Sequence, residues 1–171
     1  MAVIAVLRGP DRQWLDGVQI YDVVRAPHEA DLVVISESDN ELLFTAGTTL
    51  VDAFRVETVR HWDDGVVAGV TRLAFVARRT DVDGETFRRR YEAHAAIARK
   101  QHPGICRYVQ HFVRHGTDRD IAAISELHFA DDDSMRTRFY RDEQSAAVVD
   151  ADIADYLDRE RTWSMITRRV A

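Results

Sequence analysis

One cysteine, three prolines and no long apolar run set the first limits on this chain of 171 residues. The single cysteine, Cys106, excludes an intrachain disulfide and suits a reducing compartment, so the cytoplasm is the expected location. No stretch reaches the roughly 20 apolar residues that a membrane-spanning helix needs. The run from Met1 to Leu7 is too short for a signal peptide and lacks its basic start, so it reads as a first strand. Positive charge is in deficit: 23 Lys and Arg against 29 Asp and Glu give a net charge of −6 and a pI near 5.6. That balance argues against general nucleic-acid binding, and Arg88-Arg89-Arg90 and Arg168-Arg169 read as solvated faces paired with acids. Missing too are G-x-G-x-x-G, a P-loop and G-x-S-x-G, so nucleotide cofactors and a hydrolase elbow have no support. There is no C-x-x-C or H-x-E-x-H. His111 and His115, on a strand, would stand about 13 Å apart, too far to share one ion. Neither a cofactor nor a metal is expected.

What is present is 46% hydrophobic residues, enough for a sizeable core, in a clear order of periodicities. Phe87, Tyr91, His94 and Ala98 recur at intervals of four, three and four, which predicts a helix over 84–100 with one apolar face that includes a histidine. Asp83 is placed to cap it, Glu85 suits its first turn, and Arg99 with Lys100 suits its carbonyl end. Pro103-Gly104 stops the helix, and a period of two takes over across 105–114. Further strands are expected at 71–78, 121–129 and 162–169, and helices at 132–140 and 143–149. This order is that of a split β-α-β, ferredoxin-like fold.

The residues Phe87, Tyr91 and His94, then Pro103-Gly104 and Arg107-Tyr108-Val109-Gln110, and finally Ser125-Glu126-Leu127-His128-Phe129, resemble the pattern of the EthD family of small dimeric α+β barrel proteins. That family's helix reads F-x-x-x-W-x-x-H, so Tyr91 stands here where Trp is usual. The resemblance spans residues 71–170. It implies a homodimeric or fused barrel around a pocket for a small hydrophobic or aromatic substrate.

The first half offers strands at 2–7, 18–25, 32–37 and 56–62, with weak helical periodicity over 40–54 interrupted by Gly47. Ile35-Ser36-Glu37 recurs as Ile124-Ser125-Glu126, and Trp62 answers Trp163 in each last strand. These features predict two tandem ferredoxin-like repeats, a degenerate one over 1–66 and an EthD-like one over 70–171. The barrel then closes either within one chain or across a homodimer.

For chemistry, His94 is the candidate general acid or base, because imidazole titrates near neutrality and the helix face aims it at the sheet. The alternative is a core histidine satisfied by a carbonyl or by Tyr108. Tyr108 and Gln110 are candidates to hold a substrate oxygen, with Gln110 satisfying backbone groups as the bland account. Tyr91, Phe75 and Trp163 are expected to wall the pocket, and Glu126 to orient His94 if it points inward. Cys106 reads as an inert buried thiol. The resemblance implies cofactor-independent isomerase, cyclase, dehydratase, decarboxylase or monooxygenase chemistry on an aromatic or polyketide-like molecule. A non-catalytic carrier for a hydrophobic small molecule is the alternative, and a filled barrel serving only assembly is a third.

Overall fold

A computed structural model describes residues 1–9, 18–26, 30–36, 48–116 and 120–170 of the chain. Eight strands and three helices follow in the order β1 (Ala2–Arg8), β2 (Val18–Arg25), β3 (Leu32–Ser36), β4 (Thr49–Asp63), β5 (Val70–Arg78), α1 (Gly84–Gln101), β6 (Ile105–Gly116), β7 (Ile121–Phe129), α2 (Asp132–Thr137), α3 (Glu143–Ile153) and β8 (Leu157–Arg169). Every strand pairs antiparallel with its neighbours, and the ring β1-β3-β2-β8-β5-β7-β6-β4 is a closed barrel. Within 2–63 the strand order is β4-β1-β3-β2, and within 70–169 it is β8-β5-β7-β6. Two seams, β2 on β8 and β4 on β6, join the halves, so the barrel closes within one chain.

Side chains alternate across this ring. Ile4, Val33, Tyr21, Phe54, Val56, Leu73, Phe75, Ile124 and Met165 point inward and fill the barrel. The outer face of the second half meets the helices, where Val76, Phe112 and Ala123 pack on Phe87 and Tyr91 of α1 and on Tyr156. Strands β5 and β7 are therefore covered on both faces, which is why they read as nearly continuous apolar runs. Each helix begins on an aspartate: Asp83 accepts from the Thr86 amide at 2.8 Å, Asp131 from Ser134 at 2.7 Å and Asp142 from Ser145 at 2.9 Å. Gly104 allows the close approach of the turn after α1 to the end of α2; a Cβ there would lie 2.7 Å from the carbonyl oxygen of Arg138.

Several boundaries differ from expectation. Residues 49–54, expected to end a helix, belong to β4, because Phe54 and Val56 are buried inward on either side of an exposed Arg55 in a period of two. The rest of that expected helix, and Glu37, lie outside the described residues. The helix expected over 132–140 ends at Thr137. Strand β8 starts at Leu157 rather than 162, since an irregularity in its pairing with β5 is bridged by Thr162, whose hydroxyl donates to the Asp158 carbonyl at 2.6 Å and accepts from the Ala77 amide at 3.0 Å. Among the described residues no helix is long and apolar enough to cross a membrane.

Candidate functional site

The polar residues of α1 and β6 meet in the layer between helices and sheet. His94, on the buried face of α1, is 7% exposed, and its ring lies parallel to Tyr91 at 5.8 Å. Its Nδ1 lies 2.7 Å from Oδ2 of Asp152 on α3, and the Tyr156 hydroxyl donates to the same oxygen at 3.1 Å. A carboxylate only accepts, so Nδ1 carries the proton and Nε2 holds a lone pair. Among the described residues Nε2 has no hydrogen-bond partner, and it is not sealed from solvent. Burial pulls the His94 pKa below the ordinary histidine value, against the opposing pull of Asp152. The imidazole is therefore neutral near pH 7, oriented by an acid on one nitrogen and open on the other, as a general base requires.

The neighbours are differently disposed. Gln110 is fully buried, and both its N–H groups and its oxygen are engaged: Nε2 donates to the Tyr91 carbonyl at 2.7 Å and to the Tyr108 hydroxyl at 2.9 Å, while Oε1 accepts from His61 at 2.8 Å. The Tyr91 hydroxyl meets Ser125 Oγ at 2.8 Å, and Tyr108 approaches the same oxygen at 3.4 Å. Burial raises the pKa of both phenols, so both stay protonated. This geometry fits the account of Gln110 as a group that satisfies neighbouring backbone, and it leaves Tyr108 engaged with Gln110 and Ser125. Tyr91 serves as packing for His94.

The other expected residues lie across the sheet. Phe75 is fully buried inside the barrel, stacked 3.9 Å from Trp163 at an interplanar angle of 6°. Glu126 also points inward, but it does not orient His94. Its Oε1 accepts from His111 Nε2 at 2.6 Å and its Oε2 from His128 Nε2 at 2.8 Å, and the Tyr21 hydroxyl lies 3.3 Å from Oε2. Thr58 and Thr71 cap the outer Nδ1 atoms of the two histidines at 2.9 Å each. Burial alone would raise the Glu126 pKa; the two imidazole hydrogen bonds outweigh it and hold the carboxyl well below its usual range. The reason for the split is strand parity: Glu126 shares its face with Ile124, whereas Ser125 faces α1, so β7 cannot offer Glu126 to His94. Among the described residues no cluster of His, Cys, Asp or Glu has metal-holding geometry.

Asp152 lies beyond the helix expected over 143–149, which runs on to Ile153. The intervals from Ser145 to Val149 to Asp152, four and three, carry it onto the same buried face one turn further. The inward position of His111 was legible only as one of two possible faces of β6.

Solved structures share this fold. A candidate monooxygenase from Lactobacillus acidophilus NCFM aligns over 98% of this chain and 93% of its own, with a TM-score of 0.58 and 8% identity. A major regulator of staphylococcal pathogenesis aligns over 100% of both chains, with a TM-score of 0.60 and 9% identity. An anthrone oxidase-like protein aligns over 99% of this chain and 91% of its own, with a TM-score of 0.60 and 13% identity. At these identities the likeness is one of fold. No family model matches the chain, and no curated protein matches it in sequence.

Proposed function

We propose that this protein is a cofactor-independent small-molecule enzyme that removes a proton next to a carbonyl or phenol of an aromatic or polyketide-like compound. His94 is the base, and Asp152 is the positioning residue that fixes its tautomer. The observation that carries this reading is the one-sided engagement of the imidazole: Nδ1 is held at 2.7 Å by Asp152, while Nε2 has no partner among the described residues. The resulting carbanion is reprotonated at another carbon (isomerisation), attacks a second carbonyl of the same molecule (cyclisation) or expels a β-hydroxyl as water. The same first step serves a cofactor-free oxygenase, and two of the similarly folded proteins carry oxidative names, a candidate monooxygenase and an anthrone oxidase-like protein. EthD-like ancestry in two tandem repeats is part of this reading, supported by the matching 4-1-3-2 strand order of the two halves. A second copy of the chain is not needed to close the barrel, so homodimerisation, if selected, serves another purpose.

The test is a screen of aromatic and polyketide-like acids, lactones and phenols against wild type and His94→Ala, with binding and product formation recorded together. Turnover in wild type that is lost in His94→Ala, with binding retained, is the expected result. A carrier is the second reading, favoured because Tyr108 and Gln110 are wholly engaged with protein groups and leave no donor for an enolate oxygen. Binding that is equal in both proteins, with no product from either, decides for the carrier.

A further inference from the structure

We propose that the cleft beside α2 binds a planar aromatic carboxylate, and that Arg72 holds its carboxyl group. The cleft has a volume of about 670 Å³, with Met135, Phe139, Trp163 and Ile166 as apolar walls and Arg72 and Ser164 as its polar lining. Arg72 stands on the helix-side face of β5. Its Nε donates to Ser164 Oγ at 3.2 Å, and its guanidinium lies 5.1 Å from the Phe139 ring centroid. These two contacts fix the plane of the group.

Among the described residues its charge has no acid beside it, as is also true of half-buried Arg78. Arg79, Arg88, Arg99, Arg114, Arg161 and Arg168 each pair with an Asp or Glu. Among the described residues Arg72 has no carboxylate within ion-pair reach, and its two terminal nitrogens make no hydrogen bond, yet they are not sealed from solvent. A half-buried cation without an anion is costly, and the loss falls when a ligand supplies one. Burial also pulls the Arg72 pKa down, the signature of a cation held away from water, though not far enough to remove its charge.

The two free nitrogens match the two oxygens of a carboxylate. Phe139 and Trp163 give the lining its aromatic surface. One guanidinium and one hydroxyl among apolar walls suit a singly charged head on a flat apolar body better than a phosphate, which needs more donors.

The proposal is read by binding alone, so its failure and that of the His94 reading are separable. The probes are 1-naphthoate and its neutral counterpart 1-naphthalenemethanol, titrated by calorimetry and by the indole N–H signals of uniformly ¹⁵N-labelled protein, with Trp163→Phe assigning the resonance. Wild type is expected to bind the acid at least tenfold more tightly than the alcohol and to shift the Trp163 signal. Arg72→Met is expected to remove that preference, Arg72→Lys to keep part of it, and His94→Ala to leave it intact. Equal affinity of wild type for acid and alcohol, an unmoved Trp163 signal, or no binding of the acid at millimolar concentration overturns the proposal without recourse to any variant.

Discussion

The barrel interior and the helix-sheet layer each carry a buried network built on histidine and a carboxylate, and they differ in how the network ends. Inside the barrel, the chain of contacts from Thr58 through His111, Glu126 and His128 to Thr71 has a partner at each imidazole nitrogen and at both carboxylate oxygens. In the layer, the contacts around Asp152 end at His94 Nε2, which has no partner among the described residues. A closed network has nothing left to offer a substrate and is read as structure. An open one has a lone pair available, and its position on an acid-oriented ring gives that lone pair a use. Residue type alone does not separate the two, since the interior holds the larger cluster of ionisable groups.

The strongest way to break the comparison is to open the closed network. Glu126→Ala leaves two buried imidazole N–H groups without an acceptor, and a loss of about 3–5 kcal/mol in denaturant unfolding is expected. Against a total of about 5–15 kcal/mol for a domain, this is a large fraction of the stability. A loss below about 1 kcal/mol would mean that the interior is not the structural network described. Next, His94→Ala is expected to reduce turnover by roughly 10²–10⁴-fold on any substrate found, while its unfolding midpoint changes far less than that of Glu126→Ala.

Asp152→Asn sharpens the contrast within the layer. It is expected to lower kcat by roughly tenfold to a hundredfold, and it should move the acid limb of the pH-rate profile to lower pH, because Asp152 opposes the fall of the His94 pKa. An unmoved limb would assign Asp152 to packing alone. The two regions should also part on acidification. His94, and His102 at the C-terminal cap of α1, both have pKa values lowered by burial, so the unfolded chain binds their protons more readily; the stability they contribute is complete above about pH 6.5 and is lost as pH falls through their folded values. Glu126 is depressed from the carboxylate range, so its contribution is present above about pH 4.5 and declines only below it. Stability measured from pH 7.5 to 3 should therefore fall in two stages, and His94→Gln should reduce the first and leave the second. The smallest effect is a control outside both networks: Asp83→Ala removes the cap of α1 and should lower the unfolding midpoint slightly, with no change in the pH at which either stage occurs.

Most of the strand and helix order was legible because periodicity reports directly on which face is covered. Phe87, Tyr91 and His94 at helical spacing, and the alternation across 105–114, placed α1 and β6 almost to the residue. The site was less legible for a geometric reason. A period of two says that Tyr108 and Gln110 oppose Val109 and His111, but both faces of this sheet are buried, so burial gives no preference between them. The choice is made by the barrel's closure, which depends on strands more than 50 residues away, as in the pairing of Thr58 with His111. For the same reason the inward position of Glu126 does not bring it to His94, which lies on the other side of the sheet. Asp152 and Arg72, by contrast, sit on faces that periodicity could have named; what it could not supply was their partners.

The most direct test of the open-network account is a pH titration of the His94 imidazole by ¹⁵N NMR, assigned by comparison with His94→Gln. The account predicts a neutral ring at pH 7 in the Nδ1–H tautomer, with a pKa below the ordinary histidine value and an Nε2 signal that moves when an aromatic ligand binds. An Nε2–H tautomer, or a ring still protonated at pH 7, would contradict it.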